Sequence, residues 1–315
     1  MAFMHTKYIV RGLAAALLIS GAAWSTTNDA SAAGAIQQGR KNQPPPSLSS
    51  RAERCAVEGS SPEQLALIEQ AASGASDAGG VLTVPVYWHV VTTTAGGGDV
   101  SSLIPAQMQV LRDSFAGSKF AFDLKGVQVV ANNAWFFAEA GSADEVAMKN
   151  ALRQGGPDTL NIYTTNGDVY LGWATLPFYY KFGPSDDGVV LWWAALPGTG
   201  LAGEHPDEPD GILTYDGGDT GTHEVGHWLG LEHTFGPANG CTTPGDFIKD
   251  TPTEADPQFF CAQRDSCVGS PFPGDDPITN FMDYTDDVCM DHFTAEQTKR
   301  MRKHFHAFRD KKTRS

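Results

Sequence analysis

Three histidines fall within eleven residues, in the run His-Glu-Val-Gly-His-Trp-Leu-Gly-Leu-Glu-His that spans positions 223–233. Residues four apart share one face of an α-helix, so His223 and His227 can present both imidazoles to a single ion. Glu224, one step around the helix, would reach a water bound to that ion. With His233 there are three ligands and one open position, which is typical of catalytic zinc and not of a closed structural site.

His233 lies six residues beyond His227. On a continuous helix it would be about 9 Å farther along the axis and rotated off the shared face. Gly230 removes this difficulty, because glycine adopts left-handed backbone geometry at little cost and can end the helix. A chance match is the competing reading, but it must fix five positions of the pattern HExxHxxGxxH at once. We therefore expect a zinc-dependent hydrolase in which Glu224 is the general base.

The N-terminus has the order of a secretory signal peptide over residues 1–32. Lys7 and Arg11 precede an apolar run at 12–24, and a small-residue cleavage site ends at Ala32. The apolar run is too short to span a membrane. The expected protein is secreted and extracellular, without a membrane span. Its net charge of -15 argues against a nucleic-acid partner.

Residues 33–80 are rich in Ser, Ala, Gly and Pro and are predicted to be a pro-segment and linker, with one short helix capped by Ser61. A catalytic domain is expected at 81–315, with an upper lobe at 81–233 and a lower lobe at 234–315. Its fold class is predicted to be α/β, with a twisted, mostly parallel sheet. Hydrophobic patterning predicts strands at 84–91, 120–130, 160–163 and 189–196, and helices at 104–115 and 143–152.

Irregular chain is expected after the motif, until Thr294 opens a last helix with Gln297 at the capping-box position. The basic residues between Lys299 and Arg314 are expected to be a solvated helix end. Other carboxylates near the motif, Glu204, Glu208 and Glu232, are also expected to be solvated.

The elongated motif resembles that of the metzincin clan, in which a methionine turn lies beneath the metal. Residues 280–284, Asn-Phe-Met-Asp-Tyr, fit that turn. The resemblance implies that Met282 is the floor residue and that Tyr284 can stabilise the oxyanion. Together with Gly240-Cys241, Asp250-Thr251-Pro252 and Cys289-Met290, these residues look like the pappalysin family of secreted metalloendopeptidases.

This resemblance covers residues 81–310 and implies a mixed five-stranded sheet with an active-site helix and a backing helix. It also implies a C-terminal lobe closed by disulfides Cys241–Cys267 and Cys261–Cys289; spacing alone leaves three pairings of these cysteines open. Calcium near Asp246, Asp250 and Thr251 is implied as well. The competing interpretation is that these aspartates form turns and caps.

Cys55 is the unpaired cysteine, and in related zymogens a cysteine thiolate fills the open zinc position. Ala56 departs from the usual Cys-Gly pair, so an incidental or intermolecular cysteine is the alternative. The strand at 188–193 is the candidate for pairing with extended substrate, against the alternative of an ordinary buried strand. Asp286 and Asp287 could favour basic residues on the primed side.

The expected activity is hydrolysis of protein or peptide substrates by a monomer. A zinc hydrolase acting on other amides is the first alternative, and it would not cleave casein. A secreted binding module with purely structural zinc is the second alternative, and it would gain nothing from Glu224.

Overall fold

The computed structural model describes residues 54–200, 215–236, 240–241, 245–270 and 273–310. The predicted signal peptide, the first part of the predicted pro-segment, and Glu204 and Glu208 lie outside the described residues. Among the described residues, no helix is long and apolar enough to cross a membrane.

The centre of the fold is a five-stranded sheet in the order β2-β1-β3-β5-β4. The three pairings among β2, β1, β3 and β5 are parallel, and β4 runs antiparallel to β5 at one edge. The predicted mixed, mostly parallel sheet is therefore confirmed. Its strands are β1 Leu82–Thr92, β2 Phe120–Ala131, β3 Leu160–Thr165, β4 Gly172–Ala174 and β5 Val189–Trp192.

Six α-helices accompany this sheet in the described residues. They are α1 Pro62–Ala71, α2 Ile104–Ser114, α3 Asn133–Phe136, α4 Ala143–Leu152, α5 Asp219–Trp228 and α6 Ala295–His304. Helix α2 is the backing helix: its apolar face joins the core with Val225 and Trp228 of α5, and Gln107 Nε2 donates to Gly218 O at 2.8 Å. This packing fixes the start of α5 against the rest of the domain.

The predicted strand at 189–196 is too long. The strand ends at Trp192, and residues Trp193–Ala195 form a 3₁₀ turn. The apolar run continues because Ala194 and Ala195 of this turn are also buried, so hydrophobicity alone could not mark the end of the strand.

The chain after α5 has little regular structure until α6, and it is cross-linked by the disulfides Cys241–Cys267 and Cys261–Cys289. Both predicted pairings are confirmed. Thr294 caps α6 in a capping box with Gln297, as expected. A π-helical turn, Phe305–Arg309, continues from it.

The expectation of a solvated basic helix end is wrong for much of α6. Arg300, Arg302, His304 and Arg309 are all buried. Arg300 and Arg302 form ion pairs with Glu69 and Asp77 of the N-terminal segment, while Arg309 pairs with Asp187 at 3.0 Å. Their partners lie more than a hundred residues away, so charge patterning along the helix could not identify them.

Candidate metal centre

Helix α5 runs beneath the sheet edge and is buried along almost its whole length. It begins after Gly218, whose backbone is left-handed with φ 100°. Three consecutive backbone N–H groups at its start, of residues 217–219, donate to Asp287 Oδ2 at 2.9, 3.0 and 3.2 Å. A carboxylate at this position complements the unpaired donors and positive dipole end of the helix.

The three predicted ligands converge on one point. His227 Nε2 lies 3.1 Å from His223 Nε2 and 3.0 Å from His233 Nε2. The opposite ring nitrogens face carbonyl oxygens: His223 Nδ1 donates to Phe281 O at 2.7 Å, and His227 Nδ1 donates to Leu231 O at 2.8 Å. Because each Nδ1 carries the proton, the Nε2 lone pairs face one another, and a cation between them would satisfy them.

The imidazoles are also suited to a metal by their protonation. Burial lowers the pKa of His223 and His233 well below the usual value and that of His227 to about 4. Neutral imidazole nitrogen is the form that binds zinc. The donor set therefore fits the zinc ion expected from the sequence.

His233 reaches this point because the helix ends where expected. Gly230 has φ 103°, and its N–H donates to His227 O at 2.8 Å while Leu231 N donates to Gly226 O at 3.0 Å. These two bonds satisfy carbonyls at the helix end and turn the chain back.

Glu224 lies beside the three histidines with both carboxylate oxygens buried, and it faces the Cys55 thiol, which forms a hydrogen bond with it. Burial raises its pKa to about 8, while Cys55 and Arg54 oppose that rise. In the described residues the Cys55 thiol therefore occupies the place beside this carboxylate in which a small polar molecule such as water can bind.

Cys55 is brought to the same point. Its sulfur and one nitrogen from each histidine all lie within 4.8 Å of one another. Burial raises the pKa of the Cys55 thiol, and Glu224 adds to the rise. The protein alone therefore favours the thiol, whereas a metal ion at this point would favour the thiolate.

The segment around Cys55 adds backbone hydrogen bonds to the sheet edge. Leu171 N donates to Arg54 O at 3.0 Å, and Ala56 N donates to Gly172 O at 3.1 Å, so the segment forms a parallel bridge with β4. A Cβ on Gly172 would lie 2.8 Å from Glu224 Cγ. Glycine at position 172 therefore lets β4 approach α5 closely.

This arrangement corrects the expected position of the substrate-pairing strand. The strand at 188–193 was the candidate, but β5 is paired on both sides, by β3 and β4. It has no free edge for an added strand, and the alternative of a buried strand is correct. The edge strand β4 is only three residues long, too short to be recognised from periodicity.

Met282 and Tyr284 lie on the side of the site formed by the C-terminal chain. Met282 is fully buried, and a Cβ on Gly226 of α5 would lie 2.5 Å from its sulfur. The ring of Tyr284 is 5.0 Å from that of His233, and its hydroxyl donates to Cys55 O at 3.3 Å. Tyr284 thus contacts a backbone carbonyl beside the histidines.

Arg54 and Asp287 form a buried ion pair next to the site, at 2.9 Å. Arg54 also donates to Thr285 O, and its guanidinium stacks over the Tyr215 ring at 4.8 Å. Asp286 lies instead beside the Cys261–Cys289 disulfide. Sequence reasoning did not single out Arg54, although its position next to Cys55 was a usable signal.

Glu232 is not a solvated carboxylate, and that expectation is wrong. It is 2% exposed, and its Oε2 accepts a hydrogen bond from Ser60 N at 3.0 Å. Burial raises its pKa, although the hydrogen bonds from Ser60 oppose this. Glu232 therefore forms a further contact between the motif and the N-terminal segment.

The residues suggested for calcium make protein contacts. Asp250 accepts hydrogen bonds from Thr294 Oγ1 at 2.8 Å and Glu296 N at 3.0 Å, which is a helix-capping arrangement. Asp246 is buried, accepts from Ile248 N at 2.9 Å, and has its pKa raised by burial to about 7. Thr251 is buried nearby. These contacts favour the turn-and-cap interpretation.

The sequence matches the profile of one protein family and is similar to extracellular metalloproteases of fungi. A family profile described as Peptidase M43, Pregnancy-associated plasma protein-A, matches residues 214–306. An extracellular metalloprotease of Colletotrichum graminicola is 39% identical over 72% of this chain and 78% of its own length. Extracellular metalloprotease 1 of Coccidioides posadasii is 35% identical over 78% of this chain and 85% of its own.

Solved structures with the same fold come from a bacterium. A mutant of promirolysin from Tannerella forsythia matches with TM-score 0.65 and 26% identity, over 81% of this chain and 94% of its own. Mature mirolysin with a cleaved peptide matches with TM-score 0.58 and 29% identity, over 70% and 90%. The match to promirolysin covers a larger share of this chain than the match to mature mirolysin does.

Proposed function

Because this chain belongs to the peptidase M43, or pappalysin, family of metalloproteases, we propose that it is a secreted zinc endopeptidase made as a zymogen. The observation that carries the proposal is the convergence of His223, His227 and His233 beside the buried carboxylate of Glu224. A purely structural zinc site would gain nothing from a carboxylate that is not a ligand.

In this proposal the three histidines hold one zinc ion, which when bound acidifies water and polarises the substrate carbonyl. Glu224 accepts the proton of the attacking water and later delivers it to the leaving amine. The Tyr284 hydroxyl donates to Cys55 O in this structure. After the Cys55 segment has left, the same hydroxyl would donate to the substrate oxygen on which negative charge develops. Once the Cys55 segment has left, strand β4 would bind extended substrate through the edge that this segment covers here.

Latency is proposed to come from Cys55. The thiolate would complete the zinc shell in place of the catalytic water, as its position within 4.8 Å of the histidine nitrogens allows. The backbone bonds of residues 54 and 56 to β4 would block the edge needed by substrate. In this proposal the Cys55 segment prevents binding of the catalytic water and also occupies the edge of β4 to which substrate would bind.

A preference for basic side chains is proposed from the Arg54–Asp287 pair. Arg54 is buried between the Asp287 carboxylate and the Tyr215 ring, so this pocket accommodates a guanidinium next to the zinc site. After the pro-segment leaves, a substrate Arg or Lys can take the same place. Asp287 then pairs with the substrate cation, whereas a neutral side chain would leave the buried Asp287 carboxylate without an opposite charge.

The oxygen atoms of Asp246, Asp250 and Thr251 are proposed as ligands for a calcium ion. Oxygen ligands are the appropriate type, but Asp250 already caps α6. Calcium binding by isothermal titration to the metal-stripped, zinc-reloaded protein tests this: heat abolished by Asp246→Asn supports the site, and no heat removes it.

Cleavage of casein and of a peptide library by secreted, activated protein tests the enzyme assignment. We expect cleavage by the wild type, loss with phenanthroline, and loss of at least about 1,000-fold in Glu224→Ala with zinc still bound, because the base and the ligands are different residues. Glu139→Ala, in the loop between α3 and α4, is a matched control and should retain activity. Fully processed, zinc-loaded wild type that cuts no peptide would refute an endopeptidase.

The same library tests the preference for basic side chains. Asp287→Asn should reduce cleavage at Arg and Lys sites much more than at other sites. An equal reduction at every site would contradict the proposed preference for basic side chains. It would point instead to a general effect on the start of α5, where Asp287 accepts hydrogen bonds from three backbone N–H groups.

A further inference from the structure

The N-terminal segment contacts the domain at a second place that does not involve the metal centre. Glu69 of α1 accepts from Lys303 Nζ at 2.6 Å and pairs with His304 Nε2 at 2.9 Å. Arg300 Nε lies 3.3 Å from the same carboxylate. One carboxylate therefore meets three basic side chains of α6.

Asp77 makes a second charged contact with α6. Arg302 Nε and Nη2 each donate to this carboxylate at 2.6 Å, one bond to each oxygen. The same guanidinium donates to Gly80 O at 2.7 Å. Bidentate pairs of this type combine charge with fixed geometry and are among the stronger hydrogen bonds in proteins.

An apolar contact lies beside these charges. Ile68 of α1 and Ala72, which follows the helix, are buried against Phe308, with Phe178 and Ala307 packed around them. The segment is thus an amphipathic helix with an acidic extension. The surface that it covers, which we name the α6 face, consists of Arg300, Arg302, Lys303, His304 and Phe308.

The α6 face has the properties of a binding surface. The chain carries a net charge of -15, yet Arg300 and Arg302 are 9% and 5% exposed with the segment in place. In the described residues, the carboxylates that pair with them come from the segment. Removing the segment would expose Phe308 and take these ion pairs from Arg300 and Arg302, which would keep their hydrogen bonds to backbone carbonyls such as Asp246 O and Ser118 O.

The chain between this contact and the domain is accessible. Residues 78–81 are all exposed, which is typical of a site of proteolytic nicking. A cut there leaves Cys55, Glu69 and Asp77 on one fragment. That fragment would still have its charged and apolar contacts with the α6 face.

We propose that the α6 face is a second binding site for the pro-segment, which retains the segment by Glu69 and Asp77 after the linker has been cut. The inference rests on the proposed zymogen function. Activation then has two steps, cleavage of the linker and dissociation from α6. The released segment can also bind again in trans as an inhibitor.

The test uses the full zinc-loaded chain carrying Glu224→Ala, so that it cannot cut itself, and Cys55→Ala, so that the thiol contact is absent. A recognition sequence for an unrelated site-specific protease is inserted between Gly79 and Gly80. After the cut, size-exclusion chromatography with mass spectrometry follows how fast the N-terminal fragment leaves. We expect the fragment to co-elute with the domain.

Adding Glu69→Gln or Asp77→Asn should speed dissociation at least about tenfold, because each removes charged hydrogen bonds. Glu63→Gln is the matched control: Glu63 lies on the same helix, is exposed, and in the described part of the chain accepts its side-chain hydrogen bond from Ser61 of the same segment. Circular dichroism of each uncut variant checks that the fold is intact. Immediate loss of the fragment from the parent, or equal rates for Glu69→Gln, Asp77→Asn and Glu63→Gln, overturns the proposal.

This experiment does not measure proteolysis, so its failure is distinct from failure of the proposed function. If casein is cleaved by the wild type but the fragment leaves at once, the enzyme assignment stands and the second site falls. If the fragment is retained by Glu69 and Asp77 but casein is not cleaved, the binding site stands and its role in restraining a peptidase falls.

Discussion

Gly230 of the metal motif packs against His304 of α6, so closely that a Cβ on Gly230 would overlap the imidazole ring. The backbone at Gly230 has φ 103°, a conformation that favours glycine. Two independent requirements, backbone geometry and close approach, therefore select glycine here. The turn that brings His233 to the metal site depends on a residue of the C-terminal helix as well as on the motif.

We expect Gly230→Ala to lower the free energy of unfolding by about 2–4 kcal/mol and to reduce zinc retention. Strain at positive φ contributes about 1–3 kcal/mol, and displacement of His304 adds to it. Urea denaturation and zinc analysis after dialysis check this. Gly117→Ala is the control, because nothing lies within 4 Å of its added Cβ and its φ is not positive. Equal stability and zinc content in both variants would contradict the packing argument.

The parts of the site that depend on local pattern were predictable from sequence. His223, Glu224 and His227 follow helical spacing, and Gly230 is recognisable because few other residues end a helix in this way. Met282 and Tyr284 could be identified only through resemblance, since a single methionine or tyrosine carries no pattern. Their burial beside the motif agrees with that resemblance.

The errors occurred where a residue's partner is distant in sequence. Glu232 was expected in solvent, but Ser60 N, 172 residues away, binds it in the interior. The edge strand β4 is defined by its pairing with β5 and not by its three residues. Charge patterning described α6 as basic but could not show that Glu69 and Asp77 neutralise it.

A buried cation connects the end of α5 to the C-terminus. Arg309 lies 3.6 Å above the Trp228 ring, donates to Trp228 O at 2.8 Å and pairs with Asp187 at 3.0 Å. We expect Arg309→Met in the Glu224→Ala background to cost about 3 kcal/mol of unfolding free energy, the lower end for a broken buried pair, because Asp187 keeps its ion pair with Arg153 at 3.2 Å. Arg112→Met, on the exposed side of α2, should change stability by less than about 0.5 kcal/mol. Urea denaturation compares them, and similar small losses would show that the buried pair adds nothing.

The Cys261–Cys289 disulfide closes a loop of 28 residues that contains the methionine turn. Replacing both cysteines by serine should cost about 3–4 kcal/mol, the value that loop-closure entropy gives for this length. The same replacement of Cys241 and Cys267, separated by 26 residues, should cost a similar amount.

Cys289 N donates to Asp286 O at 2.9 Å, next to Asp287. We therefore expect only the Cys261/Cys289 variant to lower cleavage at basic sites more than at others, measured after activation with the peptide library. Equal selectivity in the two variants would contradict this link.

Acid should weaken the contact of Glu69 with α6. Burial alone would raise the pKa of Glu69, but hydrogen bonds from His304 and Lys303 outweigh it and lower the pKa from 4.5 to about 2. A carboxyl group with a depressed folded-state pKa contributes its full stability above the unfolded value and loses it as pH falls toward the folded value. The loss in Glu69→Gln, about 1–3 kcal/mol at pH 4.5 for charged hydrogen bonds, should therefore shrink as pH falls from 4.5 toward 2. Subtracting variant from wild type cancels the opposite effect of buried carboxyl groups such as Asp246, whose pKa is raised to about 7. Urea denaturation at pH 7, 4.5 and 3 in the Glu224→Ala background measures the difference, and a loss that stays constant across these values would contradict the ionic contact.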